Sequence, residues 1–351
     1  MTQQLKYWRD QPPPEWGQWV GQADATIFQS SAWAAYQQAV EPCEPVYLMY
    51  YHPSGDKLAG GMAFLKKSRV PLLNHVTKEL VFPAHPFFYK NSDKPFSKEF
   101  FQECGKVAKA MGCCRIILNS FYSGRSPLDL LEAGFDETKR WEFILDLQQE
   151  SDQIWSGIGK DHREKIKKFQ KNGFEVIVGK TKDDLQYLKQ LRESTQGKRA
   201  EKGQEYDLPL EASYYDQLYH LLVKPDFARL FLAVRDQEAV AGILFLTLNR
   251  KAYSIFSGSN EIGYKFGAQS GLFWEAVQNF QSHHFEELNR GGISFEAESP
   301  EDPLHGIYLF KKRLGTIPVL CRSGVKVIAP FQYYLREKVM ELRKRFETAR
   351  T

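Results

Sequence analysis

The sequence lacks most of the features that settle a protein's class at once. It has five cysteines, an odd number, at positions 43, 104, 113, 114 and 321, and no Cys-x-x-Cys pair is matched by a second at zinc-finger spacing. A disulfide scaffold and a structural zinc site are therefore excluded as organising devices, and a reduced compartment is expected. No apolar run approaches the roughly 18 residues that a membrane-spanning helix needs. The opening MTQQLKYWRDQPPPEW places charges and prolines where a signal peptide carries an apolar core. These absences lead us to expect a cytoplasmic protein. Charge of one sign is barely in excess, with 47 Lys and Arg against 43 Asp and Glu for a formal +4, too little to imply DNA as a partner. Also missing are the G-x-S-x-G nucleophile elbow and the G-x-x-x-x-G-K-[ST] phosphate loop. His283 and His284 are adjacent, so their side chains diverge and no metal site is expected.

What is present is an ordinary globular composition, 42% hydrophobic and 26% charged over 351 residues, enough chain for about two domains with cores of their own. The apolar runs Val46 to Tyr51 and Leu58 to Leu65 flank HPSGD, a hairpin signal. A second hairpin, Arg229 to Val234 and Ala239 to Leu248, flanks RDQE, and its second arm VAGILFL (240–246) aligns with AGGMAFL (59–65). The order of elements after each hairpin recurs as well. In the first half Ser97 is a candidate cap for a helix with Phe100, Phe101, Cys104, Val107, Ala108 and Met111 on one face, followed by a strand from Cys114 to Leu118. In the second, Gly267 opens a helix around Leu272, Phe273, Ala276, Val277 and Phe280, followed by a strand from Phe285 to Leu288. Two hairpin, helix, strand units predict a duplicated mixed α/β domain.

Between the halves the spacing predicts a strand over Trp141 to Leu147, a short helix capped by Ser151, and a helix capped by Asp161, with Glu164 three residues on, that stops at Asn172-Gly173. The domain boundary is expected near residue 148. From Lys160 to Lys202 there are 13 Lys and Arg against 7 Asp and Glu, so the basic character of the chain is local. Arg163, Lys167 and Lys171 recur at helical spacing opposite the apolar Ile166 and Phe169. Such a stripe is either a solvated helix face or a docking line for phosphate or an RNA backbone.

Four stretches in this order, FQSSAWAAY (28–36), Gly134-Phe135 before FILDL, the run from Trp155 to Lys168, and GIYLFKKRLG (306–315), resemble the Fem peptidoglycan-bridge aminoacyltransferases and their FemAB-like relatives. The resemblance extends over most of residues 28 to 316. It implies two tandem GNAT-like (acyl-CoA N-acyltransferase) α/β domains with mixed sheets, here 1–147 and 148–317, with a strand and helix over 318–351 returning to the first. It further implies an N-acyl or aminoacyl transferase moving an acyl group to an amine, with a small molecule or cell-envelope precursor as acceptor. Lys311 and Phe310 match the family's Phe-Lys pair, whose lysine is thought to stabilise an oxyanion. Arg163 and Lys167 match its basic helix near the substrate cleft, and Trp33 an aromatic of the first domain that is as readily core as site. The helical arm that looks like a tRNA-binding element in some bridge enzymes has no counterpart. The acetyl-CoA loop is matched by Tyr264-Lys265-Phe266-Gly267-Ala268-Gln269 without its first residue. Gly267, Ala268 and Gln269 are therefore the expected donor contacts. The expected donor is an acyl-CoA or an aminoacyl-tRNA, with no tightly bound cofactor.

Acyl transfer to an amine needs a hold on the donor, a cation or amide for the oxyanion, and a route for the leaving proton. Lys311 is the candidate for the second, or else an exposed charge on an amphipathic helix. For the third, Glu298 lies in the middle of FEAESPEDP, a loop beyond a strand end where α/β sheets place chemistry. Tyr253 and Ser257 are candidates for a polar groove wall. The C-terminal helix, with Leu335, Val339, Leu342 and Phe346 along one face and five basic residues elsewhere, is expected to pack on the first domain, with peripheral contact to an anionic membrane at most. An acyl-CoA-dependent acetyltransferase and a non-catalytic binding protein on the same fold are the alternatives.

Overall fold

A computed structural model of the chain describes residues 4–67, 77–89, 97–122, 126–201 and 211–348, without the side chains of 212 and 342–348. In chain order its first stretch contains β1 (Gln4–Arg9), α1 (Trp16–Gln22), α2 (Ser31–Val40), β2 (Cys43–Tyr51), β3 (Lys57–Lys66), β4 (Glu79–Phe82), β5 (Phe87–Phe88), α3 (Ser97–Ala110), β6 (Arg115–Leu118) and β7 (Asp136–Asp146). The second contains α4 (Ser151–Gly157), α5 (Lys160–Lys171), β8 (Glu175–Gly179), α6 (Lys182–Ala200), α7 (Ala212–Leu218), β9 (Ala228–Arg235), β10 (Glu238–Leu248), β11 (Lys251–Ser259), α8 (Glu261–Phe266), α9 (Ala268–Ser282), β12 (Glu287–Ser294) and α10 (His305–Lys312). β13 (Ile317–Val327) and α11 (Pro330–Thr348) close the chain. It divides into two compact units, 1–140 with 320–351, and 141–319.

The first unit is built on the order β1-β2-β3-β4-β6-β13. β2 and β3 pair antiparallel from Cys43↔Lys66 to Tyr51↔Lys57, β4 and β6 run parallel along all four positions of each, and β13 closes on β6 from Gly324↔Leu118 to Val327↔Arg115. The apolar stripe of α3 lies on this sheet, with Phe100, Phe101, Cys104 and Ala108 in one core with Val46, Leu48, Leu80 and Ile116. Ser97 sits in the first turn of α3, where its Oγ accepts a 3.0 Å bond from Asp129 N. α11 is tied to the sheet by Arg336, whose Nη2 lies 2.6 Å from Glu79, a carboxylate it shares with Arg115 at 2.7 Å. None of the five cysteines is joined in a disulfide.

The second unit repeats the plan with the order β7-β12-β11-β10-β9-β8. AGGMAFL lies in β3 and VAGILFL in β10, the matching arms of the two hairpins. The second hairpin turns on Asp236 and Gln237, both left-handed (φ 51° and 65°), as a two-residue turn matched to strand twist requires. α9 buries Leu272, Phe273, Ala276, Val277 and Phe280 against Phe231, Ile243 and Phe245.

Three expectations about local structure are corrected. Glu150, not Ser151, occupies the cap position of α4, because the Ser151 hydroxyl is taken by Gln281 at 2.8 Å. α5 starts from Gly159 rather than Asp161: the Gly159 N–H donates to Arg313 O at 2.8 Å while its carbonyl receives the N–H of His162 and of Arg163. Asp161 is thus inside the first turn, 3.7 Å from the Arg313 guanidinium. The strand expected to end at Leu288 runs on to Ser294 through Asn289-Arg290-Gly291-Gly292.

Candidate active site

The second unit differs from the first where two parallel strands meet. β11 and β12 pair only at Lys251↔Glu287, Ala252↔Leu288 and Tyr253↔Asn289. Beyond Tyr253 and Asn289 both strands continue, to Ser259 and Ser294, but no longer to each other. Past this point the β11 edge facing β12 carries backbone groups that have no ladder partner there, and this gap in the pairing is the candidate cleft.

Lys311 stands at this cleft. α10 carries its side chain to the turn at Gly291, where Nζ donates to Gly292 O at 2.9 Å and lies 5.6 Å from the Phe143 ring. Gly291 is left-handed (φ 78°), and a Cβ there would come 3.2 Å from Ser254 O and 3.7 Å from Lys311 Nζ. Only glycine fits this approach without strain. The turn is braced from behind. Asn289 Oδ1 accepts from Gly291 N at 2.8 Å, and Asn289 Nδ2 donates to the buried Glu142 at 2.7 Å.

Phe310 is half-buried against the core and meets the His162 ring edge-on at 5.0 Å. His162 is buried, with Nδ1 2.9 Å from Ser270 Oγ in the first turn of α9. Burial, aided by Lys165, pushes its pKa down to about 4, so the imidazole is neutral at neutral pH. It therefore joins α5, α9 and α10 without adding charge.

Gly267, Ala268 and Gln269 form the junction of α8 and α9. Gly267 is left-handed (φ 66°), and a Cβ there would sit 2.8 Å from the Cβ of Lys165. The N–H groups of Ala268 and Gln269 open α9 without an intrahelical acceptor, as at any helix start, whereas the Ser270 N–H goes to Gly267 O at 2.9 Å. Gln269 turns inward: its Nε2 donates to Gly258 O at 2.8 Å, Ser259 Oγ at 3.1 Å and Gly242 O at 3.2 Å. It props the diverging end of β11.

The basic stripe is distributed differently from its sequence spacing. Arg163 Nη1 donates to Ser156 O at 3.0 Å, tying α5 to α4, and Lys167 is exposed. Lys165, against Gly267, and Lys168, whose Nζ donates to Lys265 O at 3.1 Å, are the ones beside the α8–α9 junction. Tyr253 is buried in the paired part of β11, and Ser257 is half-exposed on the diverging part. Glu298 ends a 3-10 turn over Phe295–Glu298, is exposed, and accepts from Tyr308 Oη at 3.2 Å. Burial and the neighbouring Glu298 raise the Tyr308 pKa. Trp33 belongs to the first unit, where it is buried edge-on to Phe28 at 5.2 Å.

Sequence reasoning missed His162, Ser270, Asn289 and Arg290. The one available signal was the pair Asn289-Arg290 directly after apolar strand residues, which reads as a turn and is a buried strand segment. No group of metal-ligating side chains occurs among the described residues, and none of their helices is long and apolar enough to cross a membrane.

Residues 159–297 match the family described as acetyltransferase (GNAT) domain. Among solved structures, FemX is similar over 93% of this chain and 99% of its own, with a TM-score of 0.74 at 14% identity. A tandem GNAT protein from the clavulanic acid biosynthesis pathway is similar over 93% and 99%, with a TM-score of 0.52 at 11% identity. The chain has the tandem GNAT fold. The C-terminal domain of a putative lysylphosphatidylglycerol synthetase from Agrobacterium fabrum is similar over 89% and 92%, with a TM-score of 0.52 at 14% identity. No curated protein matches the sequence. The resemblance to the FemAB-like group thus holds for the tandem GNAT fold, with the acetyltransferase domain match covering the cleft in its second copy.

Proposed function

We propose that the protein is an N-acyl or aminoacyl transferase that moves an acyl group to an amine, with its reactants meeting where β11 and β12 diverge. The observation that carries this reading is Lys311, an ammonium held at the mouth of the cleft by Gly292 O. When an amine attacks an acyl ester or thioester, the carbonyl oxygen takes up negative charge before the leaving group departs. A cation already oriented stabilises that charge without reorganisation. The amine must also lose a proton. Glu298, exposed and hydrogen-bonded by Tyr308 Oη, is the carboxylate we assign to accept it and pass it to water.

The donor is an acyl-CoA or an aminoacyl-tRNA, bound as a substrate, with no tightly bound cofactor. Both carry phosphates. The start of α9 fits such a group, since its first N–H groups, the dipole of a helix over Ala268–Ser282 and the nearby Lys165 and Lys168 favour an anion. In this reading Ala268 and Gln269 meet the donor by their backbone N–H groups, Gly267, whose own N–H goes to Tyr264 O, makes the left-handed turn that presents them, and the Gln269 side chain holds the cleft open. The likeness to FemX and to a lysylphosphatidylglycerol synthetase domain supports an acceptor from the cell envelope, reached from the cytoplasm with peripheral membrane contact at most.

Lys311→Met tests the assignment. Purified protein is incubated with acyl-CoAs, charged tRNA and nucleotide-linked muropeptides, and ligands are identified by a rise in melting temperature before transfer is measured. The variant keeps most of the stem packing and loses the charge, so turnover should fall by about 100-fold with little change in acceptor binding. Full turnover in Lys311→Met would remove Lys311 from the chemistry.

A further inference from the structure

Arg290 follows Asn289 at the point where β12 leaves β11, and it is 6% exposed. Its Nη1 donates to Ser254 Oγ at 2.6 Å, and its Nη2 reaches Gln269 Oε1 only at 3.5 Å. Nε is buried without a partner. A guanidinium has five N–H donors, so two neutral acceptors leave it largely unsatisfied.

The usual compensation is missing. Strand alternation places Glu287 and Asn289 on one face of β12 and Leu288 and Arg290 on the other, and Asn289 takes Glu142 on its own face. Among the described residues no carboxylate pairs with Arg290. Burial alone lowers its pKa to about 10, which still leaves it protonated at neutral pH. Arg192, also buried and also with an unpartnered Nε, differs in having its guanidinium 3.8 Å from the centre of the Phe256 ring, with Nη1 on Tyr215 Oη at 2.8 Å. The nearest ring to Arg290, Phe273, is 5.7 Å away. Removing a cation from water without an anion is costly, and a fold that only needed to fill this position would do better with an apolar residue.

We infer that Arg290 binds the carboxylate of a reactant in the cleft between β11 and β12, so that one partner in the transfer is an acid. This rests on the reading of that cleft as the place where reactants meet. The charge count favours carboxylate over phosphate: one buried cation, flanked by a hydroxyl and an amide, balances one negative charge. The planar edge at Nε matches two carboxylate oxygens. Lys311 approaches Gly291, the next residue, so the cation assigned to the reacting carbonyl and the one assigned to the acid flank the same bend of β12.

The test uses the full chain and needs no turnover. Melting temperature is measured in millimolar acetate, succinate and glutarate, each against chloride of equal ionic strength and against the matching neutral amide. We expect the carboxylates, and not the amides, to raise it by a few degrees. Arg290→Gln should lose the shift while melting, without ligand, no lower than the parent, because an uncompensated buried charge has gone. Arg290→Lys should keep the charge, lose the fork and retain a weakened shift. Carboxylates that do no more than chloride would overturn the inference, as would a shift that survives in Arg290→Gln. A ligand-free Arg290→Gln that melts far below the parent or fails to fold would show a structural role and overturn it too. Carboxylate binding at Arg290 with no transfer to any amine would count against the proposed function alone. Transfer without any carboxylate effect on melting would count against this inference alone.

Discussion

Acid should destabilise the first unit through His85, and the size of the effect follows from its surroundings. His85 is 5% exposed in the segment after β4. Its Nε2 donates to Arg322 O at 2.8 Å, its own carbonyl accepts Gln29 Nε2 at 2.5 Å, and Nδ1 is buried without a partner. Protonation would put a proton on Nδ1 with nothing to receive it, and burial accordingly lowers the pKa from 6.5 to about 4. Above pH 6.5 both folded and unfolded chains hold the neutral ring, so the group contributes no pH dependence. As the pH falls the unfolded chain takes up the proton first, and stability drops until the folded pKa is reached near 4. Linkage over the interval from pH 7 to pH 5 gives a loss of about 2 kcal/mol. His85→Gln keeps a donor for Arg322 O and cannot titrate. Urea unfolding at the two pH values, followed by tryptophan fluorescence, should show the parent losing about 2 kcal/mol more than the variant. Trp16 is a probe in the same network, since its Nε1 donates to Gln29 O at 2.8 Å. Equal losses in the two proteins would refute the burial argument.

Gly271→Ala should cost the second unit about 1 to 3 kcal/mol in urea unfolding, because the added methyl would overlap the Phe169 ring, itself stacked on Phe174 at 4.8 Å. An unchanged midpoint would mean that α5 and α9 can separate freely. Phe310→Ala removes a half-buried ring, so its cost should fall below the roughly 3 to 5 kcal/mol of a fully buried phenylalanine. It should also admit water to His162 and return the imidazole pKa from about 4 towards 6.5, read by NMR titration. An imidazole that titrates as in the parent would show that Phe310 does not shield it.

The repeated plan was legible because hairpins and amphipathic helices are written in local patterns. AGGMAFL and VAGILFL are apolar along their whole length and sit in interior strands, and α3 and α9 bury the stripes that their spacing predicts. The cleft was not legible, because it depends on where pairing stops. Nothing in YSIFSGS says that β11 leaves β12 after Tyr253. Asn289-Arg290-Gly291-Gly292 has turn chemistry, and only tertiary contacts from Glu142, Ser254 and Lys311 make it a strand end with a braced bend. The basic stripe shows the same limit: periodicity found one face of α5, but the packing of Gly267 decided that Lys165 and Lys168 flank the start of α9.

The first unit is made from the two ends of the sequence, whereas the second is continuous from 141 to 319. During synthesis the order of completion is therefore reversed relative to the order of translation. When residue 319 has left the ribosome the second unit has all its strands, while β6 of the first still lacks the antiparallel partner supplied by Gly324–Val327 and Glu79 still lacks Arg336. For that interval β6 is an open edge, the kind of surface that pairs with other chains. Truncation before residue 324 would make that interval permanent and favour aggregation through a strand more than two hundred residues away.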